Sequence, residues 1–328
     1  MAIARPRQVP SNARDADDSR GHIIASIVPC MVLAFTALMM RLASRRIRQS
    51  GFFVSDYLAI AGMLCAWVVS LSVIAQAGLG LGLHVEQVSP ANVREIVLTE
   101  WIGLPFYAIG FTLIKLSIIA LYRQLFPTRF MIFSTTLLAI FVILWGSALV
   151  LTDIFSCNPI NGFWDIDVPS KCIDSKWFFV GNSIPNILAD LFLLLLPMRD
   201  VWRLQLGRGS KIAVSGMFAL GSFVTIVSGL RIGFTLAINR NDITWTYTDF
   251  AIWTSVEINV AVISCCLPIV RPAIALLVPE WLKKRLTSKS TQESTGQQAY
   301  NFQAPRTQRT LGSHVKITSL QHGDFIPL

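Results

Sequence analysis

Charge is what this sequence has least of. Asp, Glu, Lys and Arg make up 14% of its 328 residues, where soluble domains carry about a quarter. Too little charge remains to cover a water-facing surface, while 53% of the residues are hydrophobic and the mean hydropathy is +0.56. Histidine is scarcer still: His22, His84, His314 and His322 are scattered, none at ligand spacing to a cysteine or an acid, so no metal site is expected. A stripe of basic residues interleaved with aromatics is missing as well. The net charge of +9 sits in clusters between apolar runs, which argues against nucleic acid as a partner. No acid or histidine stands at close spacing to a nucleophile, so neither a catalytic residue nor a cofactor is expected.

What is present is length in the apolar runs. A bilayer core of about 30 Å is crossed by around 20 apolar helical residues, and seven windows reach that length. They begin at His22, Asp56, Trp101, Met131, Trp177, Ile212 and Phe250. Barrel strands are about half as long and alternate strictly, which these runs do not. The expected fold is an all-α membrane protein, a seven-transmembrane helix bundle spanning residues 22–278. Tails of residues 1–21 and 279–328 are expected to be disordered, the second being rich in Ser, Thr, Gln and Lys.

Orientation follows from the basic residues of short loops. The first, third and fifth connections hold Arg41, Arg45, Arg46, Arg48, Arg123, Arg129, Arg199, Arg203, Arg208 and Lys211. The second, fourth and sixth hold Arg94, Lys171, Lys176 and Arg240 amid six acids. The amino terminus is therefore expected outside and the carboxyl terminus in the cytoplasm. Arg5, Arg7, Arg14 and Arg20 in the leading tail oppose this, and three loops outweigh one tail. The first 20 residues lack an apolar centre, so the first span is expected to direct membrane insertion.

With that topology "SCNPINGFWDIDVPSKC" (156–172) faces an oxidising compartment. It holds Cys157 and Cys172, whereas Cys30, Cys65, Cys265 and Cys266 fall inside spans. A Cys157–Cys172 disulfide is expected there, with Phe163 and Trp164 folded back onto the mouth of the bundle.

Five stretches carry a family resemblance: "KLSIIALYRQLF", "CNPINGFWD" followed by "KCID", "ILADLFLLLLPMRDVWRLQL", a Gly- and Arg-containing sixth span, and "WTSVEINVAVISCCLPIVRP". In this order they resemble the fungal rhodopsin-domain family of seven-span membrane proteins, of the Pth-type, GPCR-like and satratoxin-cluster-type kinds. The resemblance covers roughly residues 20–280. It implies a multi-pass membrane protein of a filamentous fungus; some such proteins are regarded as surface receptors and others belong to toxin biosynthesis clusters. The leading segment carries no cysteine-rich module of the kind found in some receptor-like members. A retinal Schiff base requires a lysine in the last span, and the run from Phe250 has none. A D/E-R-Y triplet and an N-P-x-x-Y motif are also absent; Arg123 stands near the first position as a charge at the membrane boundary.

An ionisable side chain within a span points to function or to a buried partner. Lys115 and Asp190 each lie about 13 or 14 residues from the outer end of their spans, roughly 20 Å deep. Arg231 and Glu257 lie about 6 or 7 residues in, roughly 10 Å deep. Two layers are expected: Lys115 with Asp190, and Arg231 with Glu257. The outer pair, with Asn259, Asn182 and Asn186, is expected either to line an outward-facing ligand pocket or to lock the bundle; the inner pair is expected to lock the bundle. The expected function is receptor-like detection of an extracellular small molecule or surface cue at the plasma membrane, relayed to a cytoplasmic signalling protein. The alternative is an accessory, enzymatic or transport component of a secondary-metabolite pathway.

Overall fold

In a computed structural model the described residues form α-helices, two short 3₁₀ turns and one two-stranded ribbon. The structure describes residues 18–47, 49, 51–165, 168–203, 221–222, 225–226, 228–230, 232–233 and 242–277. Most of the expected sixth span, Arg231 and nearly all of both tails lie outside these residues. Among them, six helices are long and apolar enough to cross a membrane: α1 (Arg20–Ile47), α2 (Val54–Leu79), α3 (Pro90–Leu125), α4 (Arg129–Ile154), α5 (Ser175–Arg203) and α6 (Ile243–Leu277). Up to Ala275 they belong to one compact unit.

Capping sets where these helices begin. Ser89 Oγ accepts from the Asn92 N–H at 3.2 Å with Pro90 in the first turn, and Thr128 Oγ1 accepts from the Met131 N–H at 3.2 Å. As a result α3 starts at Pro90 rather than at the expected Trp101. Its first turns are too polar for a hydropathy window to include, yet they are well capped. α6 likewise starts at Ile243, ahead of Phe250. At the other end of α2, Gly80 takes a left-handed conformation (φ 117°) that only glycine adopts without cost, and the Leu81 N–H closes onto the Gln76 carbonyl at 2.9 Å.

α3 and α6 are the inner helices. Of the residues in their most apolar stretches 56% and 61% are buried, against 17% in α5. Lipid removes the hydrophobic drive between helices, so close packing of small residues takes its place. Ala34 of α1, Ala59, Met63 and Ala66 of α2, Phe111 and Ile114 of α3, and Ile258 and Val262 of α6 form one buried cluster. There α3 meets α2 and α6 so closely that a Cβ added at Gly62 would lie 2.8 Å from Ile114 Cγ1, and one at Gly110 2.9 Å from Ile258 Cδ1 of α6. A second cluster, including Ile119, Tyr122, Met131, Val142, Ala189 and Leu193, joins α3 to α4 and α5.

Between α4 and α5, β1 (Cys157–Asn158) pairs antiparallel with β2 (Lys171–Cys172), and the opposed Cys157 and Cys172 are joined by a disulfide. The ribbon is pinned to the overhanging start of α3. Trp164 packs on Trp101 with ring centroids 5.0 Å apart, and Arg94 reaches Asp165 at 3.3 Å. This is the disulfide end of the bundle. The arginine end, where α1 leads into α2, is opposite.

Candidate functional site

Lys115 stands at the meeting of α3 and α5. Its ammonium lies 2.9 Å from Asp190 Oδ1 and donates to Asn186 Oδ1 at 2.7 Å and to the Asn186 carbonyl at 3.0 Å. Residues 186 and 190 are one helical turn apart, so a single cation gathers both from the same face of α5. The side chains are nearly sealed, 6% exposed for Lys115 and 12% for Asp190. With its charge balanced and three acceptors around its ammonium, Lys115 tolerates burial; removing one partner of such a pair costs about 3–5 kcal/mol.

Glu257 belongs to a different layer. It is fully buried on α6 and accepts from Tyr107 Oη of α3 at 2.8 Å and from Ser228 Oγ. Tyr107 precedes Lys115 by two turns of α3, so the two layers are about 12 Å apart along that helix. Its expected partner Arg231 lies outside the described residues. Asn259, also fully buried, donates to Ser70 Oγ and to the Ser255 carbonyl, each at 2.8 Å, tying α6 to α2. The expected outer pocket joined Glu257, Asn259, Asn182 and Asn186. The structure divides them instead: Asn259 faces α2, Glu257 faces Tyr107, and Asn182 and Asn186 line a groove beside Lys115.

Two clefts flank Lys115, and it lines both. One, partly open, runs between α3, α5 and α6 past Ile118, Tyr122, Leu193, Ala261, Ser264 and Pro268. The other, narrower, lies between α3, α4 and α5 and is lined by Tyr107, Phe111, Phe141, Trp145, Asn182 and Asn186 among others. The Lys115–Asp190 contact is thus the partition between two spaces in the helix bundle. No group of His, Cys, Asp and Glu side chains suited to a metal ion occurs among the described residues.

The family model described as Fungal rhodopsin domain matches residues 40–276. The chain belongs to the fungal rhodopsin domain family. It is a multi-pass membrane protein associated with the lipid bilayer, and every node described above falls within the matched stretch. Curated relatives of this chain include the "Polyenoic acids biosynthesis gene cluster protein Ba17b" of Metarhizium anisopliae. That protein is 28% identical over 74% of this chain and 70% of the relative. The "Wortmanamides biosynthesis cluster protein C" of Talaromyces wortmannii is 28% identical over 76% of this chain and 69% of its own length. More distant is "Receptor GIN3" of Arthrobotrys oligospora, 24% identical over 83% of this chain and 68% of its own length. No solved structure matches the chain.

One buried node of this family member was not anticipated. Arg41, expected in a loop as a topology-setting charge, is fully buried. Its Nε donates to Asp56 Oδ1 at 2.8 Å and its Nη1 to the Cys265 carbonyl at 2.6 Å. Asp56 also meets Arg45 at 3.1 Å and accepts from the Phe53 N–H at 3.1 Å, while Arg45 stacks over the Phe53 ring. This node ties α1, α2 and α6 at the arginine end. The available signal was Asp56 itself, an acid at the head of a span with arginines one turn apart just before it. Arg123 also does more than mark a boundary, donating to Thr135 Oγ1 at 3.0 Å and to Thr136 Oγ1 on α4. At the disulfide end, Gln76 Nε2 donates to Glu100 Oε2 at 3.1 Å, a second acid in a span that its neighbours had hidden.

Proposed function

We propose that this protein is a receptor-like sensor of a small molecule, with its amino terminus outside and its carboxyl terminus in the cytoplasm. The observation that carries this reading is Lys115: one charged side chain ties α3 to α5 and forms a wall of both interior clefts. A molecule that enters either cleft bears on the contact that sets how the two helices sit. Binding then biases two arrangements of the bundle by its difference in affinity for them, and the connection that follows α5 carries the difference to the cytoplasmic side. The reading assigns no catalytic step to the chain.

The test is a full-length protein carrying a fluorescence pair on the cytoplasmic ends of α3 and α5, exposed to a library of water-soluble and lipid-soluble small molecules. A saturable change in transfer efficiency is expected for at least one chemical class. A library that leaves the transfer efficiency flat throughout would remove the sensing reading.

A second reading is favoured by the names of two relatives, which come from biosynthesis clusters for polyenoic acids and wortmanamides. In that reading the chain is a membrane component of a secondary-metabolite pathway. Deleting its gene should then change the quantity or identity of a product even in cells where no signalling output responds.

A further inference from the structure

We propose that the groove between α3, α4 and α5 binds a lipid-soluble molecule with an uncharged, carboxamide-like head and an apolar body, admitted from the bilayer beside Phe141. The inference rests on the sensing reading and names the chemistry of what is sensed.

The groove is built by three helix faces. Phe141, Trp145 and Leu149 stand at successive turns of α4, facing Asn182, Asn186 and Ala189 on successive turns of α5. Ala108, Phe111, Thr112 and Lys115 of α3 form the floor. The walls are otherwise apolar, yet three buried polar atoms have no partner among the described residues: Trp145 Nε1, Asn182 Oδ1 and Asn186 Nδ2. Asn186 is only 9% exposed. Within a bilayer no bulk water is at hand to satisfy such groups, so each is costly until something polar meets it.

The pattern of these atoms defines the head group. Lys115 donates to Asn186 Oδ1 at 2.7 Å, which fixes the amide orientation and leaves its NH₂ as a free donor. The indole N–H of Trp145 is a second donor, and Asn182 Oδ1 is an acceptor. One carbonyl oxygen beside an N–H answers all three. Charge selects further. The Lys115 ammonium is already balanced by Asp190 at 2.9 Å, which lines the other cleft, so a carboxylate head in this groove would find no spare cation, and an ammonium head would face Lys115. A neutral head avoids both. The route in is lateral: Phe141 lines the groove while 40% exposed on the outer surface of α4.

The experiment uses the full chain in phosphatidylcholine vesicles and a long-chain primary amide bearing a mid-chain diazirine. Probes of the same chain with a carboxylate or a trimethylammonium head serve as comparison. Light should attach the amide to peptides containing Phe141 to Leu149 or Asn182 to Ala189, and unlabelled amide of the same chain should displace it. The two charged probes should show no displaceable labelling there. Trp145→Phe, which removes one N–H and keeps the ring volume, should lower displaceable labelling about tenfold. Asn182→Leu and Asn186→Leu should do the same, and Trp145→Phe carries the test if either fails to fold. Labelling that is equal for all three heads, or that Trp145→Phe leaves unchanged, overturns the proposal. Displaceable labelling with no change in the fluorescence pair supports the site and removes the sensing reading. A fluorescence response to some other molecule, with no displaceable labelling by the amide, overturns the site and leaves that reading in place.

Discussion

The two flanks of α3 are built on different principles. Toward α2 and α6 it is packed by small residues: backbones approach until Gly62 and Gly110 have no room for a methyl group, and the adjoining arginine end is closed by a fully buried Arg41–Asp56 pair. Toward α4 and α5 an apolar cluster and a close approach, where a Cβ added at Gly146 would clash with Thr112, are interrupted by two clefts and a single ion pair through Lys115. Where dispersion contacts are dense, a bundle has one arrangement. Where clefts interrupt the packing, it has room for a second arrangement or a guest. The tight flank reads as frame and the open flank as the working part.

The largest change is expected at the frame. Asp56→Ala leaves two arginines without their acid and removes the acceptor for the Phe53 N–H, and should cost about 3–5 kcal/mol, read as a lower midpoint in detergent thermal unfolding. A combined Arg41→Met and Asp56→Leu substitution should recover much of this, because a buried pair can be exchanged for apolar packing.

Cys157→Ser comes next. It opens a loop with a sequence separation of 15 and should cost about 3 kcal/mol in the chain-entropy model. Since the disulfide joins the α4–α5 connection, hydrogen exchange should rise first in α5 and leave α2 and α3 protected. Equal loss of protection in all helices would erase the proposed difference between the flanks.

Two glycines sharpen the contrast directly. Gly110→Ala inserts a methyl group 2.9 Å from Ile258 Cδ1 and 3.0 Å from Cys65 Cβ, and should destabilise by about 1–3 kcal/mol. Gly181 in α5 has nothing within 4 Å of an added Cβ, so Gly181→Ala should be neutral or stabilising by up to about 1 kcal/mol through helix propensity. Matched thermal unfolding of the two variants is the measurement.

The smallest effect lies at the start of α1. The Arg20 guanidinium and backbone N–H hold the Asp18 carboxyl at about 2, below its ordinary 3.8. A lowered folded pKa means the contact contributes fully above pH 3.8 and is lost as pH falls through 2. Amide exchange in the first turn of α1 should therefore rise over that window, and elsewhere in the bundle this group should have no effect.

How much of this was legible depended on how local each signal was. Spans could be read because twenty apolar residues in a row need lipid whatever surrounds them. The Cys157–Cys172 bond could be read because the other four cysteines sit within apolar runs. Lys115 and Asp190 could be placed at one depth by counting, since helical rise is constant. Their sharing of Asn186 could not, because it depends on which face α5 turns inward. Arg41 looked like a loop charge: burial of a cation is decided by its neighbours, and Asp56 and the Cys265 carbonyl arrive from other helices. Asn259 and Asn186 looked alike as polar residues in spans, yet one donates to Ser70 and Ser255 on the α2 side while the other faces a groove.

By itself the sequence determined the solvent: runs of this length and apolarity, with charge sparse within them, commit the chain to a bilayer. It also determined which cysteines could meet across a short loop. Only the tertiary structure decided which buried charges neutralise one another and which polar atoms are left over. Those outcomes turn on helix rotation and crossing, set by the sum of many weak packing contacts that no single stretch of sequence contains.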